Sequence, residues 1–92
     1  MALTENNLLP SGSIVLLEGG KKKLMIYGRK QIVVSENPKM FDYIGVFYPE
    51  GYINPDYTFA FNHSDIEKVI FEGYQDEEEI EFQQVLAEAV ND

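Results

Sequence analysis

The chain has 92 residues, no cysteine, six Phe, six Tyr and a hydrophobic share of 45%. That describes one small domain with enough apolar mass to fold, no disulfide to staple it and no thiolate for a metal. Sixteen acids against seven bases leave a net charge of −9, which repels phosphate backbones and anionic lipid and makes nucleic acid and membranes poor partners.

The charge is unevenly spread. Residues 1–48 hold six bases and four acids, whereas residues 49–92 hold one base, Lys68, and twelve acids. A basic partner is therefore expected to favour the C-terminal half. Met1 to Leu9 is polar and lacks the basic region and apolar core of a signal peptide. The longest apolar run is Ile14 to Leu17, far short of the roughly 20 residues a membrane helix needs. Residues 1–10 read as a flexible N-terminal arm and 11–92 as a single α+β domain, expected in the cytoplasm.

Ser13 to Glu18 is the first predicted strand, a β-rich run between Ser11-Gly12 and Gly19-Gly20. Its unbroken apolar character suits a strand covered on both faces. Gly19-Gly20 signals a hairpin. The return strand runs from Lys22 to Tyr27, with Gly28 marking a bulge or bend, and strand character resumes over Gln31 to Val34. Ser35 to Pro38 is a loop. Tyr43 to Phe47 forms a third strand, and Tyr48-Pro49-Glu50-Gly51 a turn in which Gly51 takes the left-handed position. After the Asn54-Pro55-Asp56 loop, Tyr57 to Phe61 alternates, placing Tyr57, Phe59 and Phe61 on one face. Ser64-Asp65-Ile66-Glu67 has capping-box spacing and predicts a helical turn from Ser64. Val69 to Phe71 is a short strand ended by Gly73. A C-terminal helix follows, capped by Asp76 with Glu79 completing the pattern, and Glu77 to Glu79 suit the positive end of its dipole. Phe82, Val85, Leu86 and Ala89 share the face expected on the sheet, with Val90 at its edge and Ile80 on the opposite side.

Few of these residues suggest chemistry. The only histidine, His63, sits beside Ser64, and adjacent residues make a poor nucleophile–base pair. One histidine without cysteine leaves only carboxylates for a metal. The run Asp76 to Glu81 lacks the alternating oxygens and central glycine of a calcium loop, and reads as the solvated start of a helix. Gly19-Gly20-Lys21 lacks phosphate-loop spacing. Lys21 to Lys23 read as a solubilising hairpin tip. No cofactor is implied. The strongest recognition candidate is the loop Tyr48, Pro49, Glu50, Gly51, Tyr52, which puts two aromatics on a stiff turn. The competing reading folds those tyrosines back onto the core. Glu77, Glu78 and Ile80 on the helix are the second set of candidate contacts.

Three ordered motifs resemble a known family. They are Leu9 to Gly20 with Lys22 to Arg29, then Asp42 to Gly51, then Phe61 to Ile66 with Val69 to Tyr74. Together they look like domain of unknown function 4176 over about residues 8–86. The resemblance implies a Gram-positive bacterial protein encoded near type VII secretion components and their polymorphic toxins. It carries over no catalytic residue. The expected fold is an α+β domain: a bent antiparallel sheet of about five strands, specifically an SH3-like barrel, with a C-terminal α-helix. An open sheet with the helix on one face is the alternative. The expected function is a non-enzymatic adaptor or chaperone that binds a secreted toxin or a secretion component. An immunity-type protein and a small carboxylate-based hydrolase are the alternatives. Homo-oligomerisation through Ile80 or a strand edge stays open.

Overall fold

The computed structural model describes residues 8–33 and 36–88. The elements in chain order are β1 (Ile14–Leu17), β2 (Leu24–Val33), β3 (Lys39–Phe47), a 3-10 turn (Pro55–Tyr57), β4 (Thr58–Phe61), a second 3-10 turn (His63–Asp65), β5 (Ile66–Phe71) and the helix α1 (Glu77–Glu88). The strands form one antiparallel sheet in the order β4-β3-β2-β1-β5. The α+β expectation holds. The sheet is open rather than a closed barrel, because β4 and β5 each pair on one side only.

The continuous run of β1 is explained by its place between β2 and β5. Val15 and Leu17 face the core, while Ile14 is buried on the other side of the sheet. Gly28 does mark a bulge. The register against β3 shifts between Ile26 and Gly28, leaving Tyr27 as the extra residue. A Cβ on Gly28 would come within 2.8 Å of Ile44 Cγ2, so glycine is what lets the strands approach there. The bulge bends β2 without ending it, and the strand runs on to Val33. Val34 and Ser35, expected at its end and in the next loop, lie outside the described residues. Gly51 has φ +79°, as the turn chemistry requires, and Tyr48–Pro49 is cis.

One face of the sheet carries the core: Val15, Leu24, Ile26, Tyr43 and Phe61, joined by Leu8, Leu9 and Leu86, with Leu17, Phe47, Phe59 and Ile66 packed against them. Two expectations are corrected here. Leu8, Leu9 and Pro10 are buried, Leu9 to 1% exposure. They are part of the domain rather than of a loose arm; residues 1–7 lie outside the description. The helical turn before β5 begins one residue earlier than expected, at His63. Asn62 precedes it, and Asn62 N–H donates to Asp65 Oδ2 at 2.9 Å. The reciprocal carboxylate is thus Asp65 rather than Glu67.

The helix also differs from its predicted docking. Asp76 does cap it, accepting from Glu79 N–H at 3.2 Å. The carboxylate of Glu79 does not return to the cap. It turns to Arg29 on β2, which donates to it bidentately at 2.5 and 2.9 Å. The docked face is therefore Glu79, Gln83 and Leu86, one stripe at helical spacing. Phe82 and Val85 stay largely exposed. Ala89 and Val90 lie outside the described residues.

Candidate functional site

Two regions bring reactive or recognitive side chains together. The first is a buried polar junction on the core side. Arg29 Nη1 donates to Leu9 O at 3.2 Å as well as to Glu79. Gln83 Nε2 donates to Leu8 O at 2.7 Å and to Glu79 at 2.6 Å, and Gln83 Oε1 accepts from Leu8 N–H at 3.1 Å. Burial works against the charge of Glu79, but the hydrogen bonds from Arg29 and Gln83 and the Arg29 charge outweigh it, and the carboxyl titrates below its ordinary value.

Beside this junction, Leu9 N–H donates to Tyr43 Oη at 3.0 Å, and Tyr43 Oη lies 2.7 Å from His63 Nδ1. Burial pushes the Tyr43 phenol up to about 12. The phenol therefore keeps its proton at neutral pH, and its hydroxyl and His63 Nδ1 share a hydrogen bond whose direction follows the imidazole tautomer. His63 is thus held to Tyr43, and Asp42 Oδ2 accepts from His63 N–H at 2.9 Å. Arg29, Tyr43, Glu79 and Gln83 thereby join Leu8 and Leu9, the sheet and α1.

The second region is on the opposite face of the sheet. Gly12, Ile14, Lys23, Tyr48, Ile70 and Phe71 line a hollow of about 380 Å³. Strand pairing builds it. Ile14 pairs with both Met25 and Phe71, so the three side chains share the outer face. Tyr48 N–H donates to Lys23 O at 3.0 Å, which brings the loop after β3 beside the β1–β2 turn. β5 bulges against β1 at two places, and the second bulge turns Ile70 and Phe71 towards the rim. Phe71 is 59% exposed and Ile70 44%. A shallow concave site with apolar walls and few polar groups has the character of a binding surface.

The structure divides the predicted recognition residues. Tyr48 walls the hollow. Pro49 and Glu50 are exposed at the turn, and Glu50 pairs with Lys22 at 2.9 Å. The hydrogen bond from Lys22 holds its carboxyl below the usual value. Gly51 N–H donates to Phe47 O at 2.7 Å and closes the turn. Tyr52 turns away to Tyr27, with ring centroids 5.9 Å apart. Glu77, Glu78 and Ile80 are exposed on α1, Ile80 to 62%. Glu78 borders a separate hollow with Tyr74 and Phe82, so loop and helix candidates do not form one site. Ile70 and Phe71 are not among the candidate contacts read from the sequence, and Lys23 is read there only as part of a solubilising hairpin tip. Val69-Ile70-Phe71 reads as a short strand, and nothing in a three-residue apolar run reveals that it is an edge.

Among the described residues no three His, Asp or Glu side chains gather at a metal-binding distance, and no helix is long and apolar enough to cross a membrane. No curated protein matches the chain, and no solved structure does. The family described as domain of unknown function (DUF4176) matches residues 8–82. That match starts at the buried Leu8 and takes in the whole sheet, the Arg29–Glu79 junction and the outer hollow, and the chain is a member of the DUF4176 family.

Proposed function

We propose that this domain is a non-enzymatic protein-binding module that uses the outer face of its sheet. In line with the family resemblance, it serves in the cytoplasm as an adaptor or chaperone for a type VII secreted toxin. The observation that carries the reading is the hollow walled by Tyr48, Ile70 and Phe71, where large apolar side chains meet solvent around one concavity. Isolated exposed apolar residues are ordinary, but a contiguous group around a concavity marks an interaction site. The polar groups that could serve catalysis are engaged elsewhere, since Arg29, Glu79, Tyr43 and His63 hold the fold together.

The test is co-expression with the toxins encoded beside the gene. Capture of one of them, lost in Phe71→Ser with the fold intact by circular dichroism, supports the reading. No capture of any neighbouring toxin counts against the toxin partner. Protection of growth with secretion unchanged would instead mark an immunity protein.

A further inference from the structure

The outer hollow carries a charge opposite in sign to that of the molecule. Lys23 lines it, with its ammonium 5.8 Å from the centroid of the Tyr48 ring. Lys68 on β5 pairs with Leu16 on β1, and Leu16 lies two residues from Ile14 on the same face, so Lys68 shares that face. Lys22, Arg29 and Lys30 are each paired, to Glu50, Glu79 and Asp42. Among the described residues Lys21, Lys23, Lys39 and Lys68 have no carboxylate within ion-pair distance, and of these four Lys23 lines the hollow and Lys68 lies on its face of the sheet. A chain of net charge −9 has an excess of carboxylates with which to neutralise cations, yet Lys23 in the wall of the hollow and Lys68 on the same sheet face stay unpaired among the described residues.

Resting on the protein-binding reading above, we propose that the hollow takes a partner segment in which large apolar side chains are flanked by carboxylates. The apolar side chains fill the space between Tyr48 and Phe71 over the floor of Ile14. The flanking acids meet Lys23 on one side and Lys68 on the other. Such pairs at a rim contribute modestly to affinity and more to orientation and the choice of partner. Two other occupants fit the chemistry less well. An anionic bilayer is flat, and the net charge of −9 opposes the approach of the whole molecule. A second copy seated hollow against hollow would bring the two sets of lysines together.

The test is fluorescence anisotropy with the full chain and three labelled peptides. Each has a Leu-Phe-Leu centre, flanked by aspartates, serines or lysines. The aspartate peptide is expected to bind about tenfold tighter than the lysine peptide at low salt, and the gap should shrink at high salt. The double variant Lys23→Glu/Lys68→Glu should reverse the order, and Phe71→Ser should weaken all three. Both lysines are exposed or at the edge, and circular dichroism confirms that the variants fold. Equal binding of the three peptides, or an order unchanged in the charge-reversed variant, overturns the proposal. Binding to phosphatidylglycerol vesicles without peptide discrimination also overturns it, in favour of a membrane surface. Concentration-dependent self-association abolished by Lys23→Glu/Lys68→Glu overturns it in favour of a second copy. If a toxin is captured and that capture ignores the double variant, the acidic-segment proposal falls while the protein-binding reading stands. If the peptides discriminate as expected but no toxin is captured, the toxin partner falls and the acidic-segment proposal stands.

Discussion

Tyr43 concentrates several physical effects in one side chain. It is fully buried, its ring lies 5.4 Å from that of Phe61, and its hydroxyl links Leu9 to His63. Its phenol titrates near 12 in the folded chain against an ordinary value of 10. A raised pKa means that the neutral phenol is the form the fold prefers. That contribution is fully present below pH 10 and is lost as pH rises from 10 to 12. The loss amounts to about 2–3 kcal/mol when complete. Urea denaturation at pH 9 and pH 12 should show this fall in the native chain, with the drop smaller by that amount in Tyr43→Phe. The variant itself should be about 1–3 kcal/mol less stable at pH 7, because Leu9 N–H loses its buried acceptor. Gly73 is a second special residue. Its N–H donates to Ser13 Oγ at 2.9 Å, and a Cβ there would come within 2.5 Å of Ser11 O.

At the scale of elements, α1 is the instructive case. Sequence periodicity favours the apolar stripe Phe82, Val85, Leu86, whereas the docked stripe is Glu79, Gln83, Leu86. The two stripes share only Leu86. Leu86→Ala should therefore cost about 2–4 kcal/mol, while Val85→Ser should change stability by no more than about 0.5 kcal/mol. Equal costs in thermal or urea unfolding would contradict this docking. A helix can be placed by a charge pair rather than by its greasiest side, and the partner of that pair, Arg29, lies fifty positions away in sequence. No local pattern contains that information. Where local chemistry decides, the sequence was readable: the turn at Gly51, the bulge at Gly28, the cap at Asp76 and the apolar run of β1 all stand. Closure of the sheet and the exposure of Ile70 and Phe71 depend on strand order. Strand order is set by pairings across the chain, and so the hollow was only half visible, through Tyr48.

Considered whole, the molecule is held shut at one buried junction. Arg29 touches the Leu9 carbonyl and the Glu79 carboxylate at once, with side chains only 5% and 12% exposed in that pair. Replacing Arg29 by Met leaves a buried carboxylate with no cation, and such breaks cost about 3–5 kcal/mol. For a chain of this length that approaches its entire stability. Arg29→Met should thus be largely unfolded or melt far below the native chain, and Arg29→Met/Glu79→Met should recover much of the loss. A double variant no more stable than the single would mean that Arg29 acts through Leu9 instead. The same junction sets an order on biosynthesis. β1 to β4 can pair as they leave the ribosome, but β1 waits for β5 to cover its second edge, and Leu8 waits for Gln83, 75 positions later. Until β5 emerges the nascent chain offers a bare apolar strand edge, and until α1 follows it an unsealed core. A chain stalled or cut before Gln83 should therefore be a substrate for aggregation and proteolysis rather than a smaller working domain.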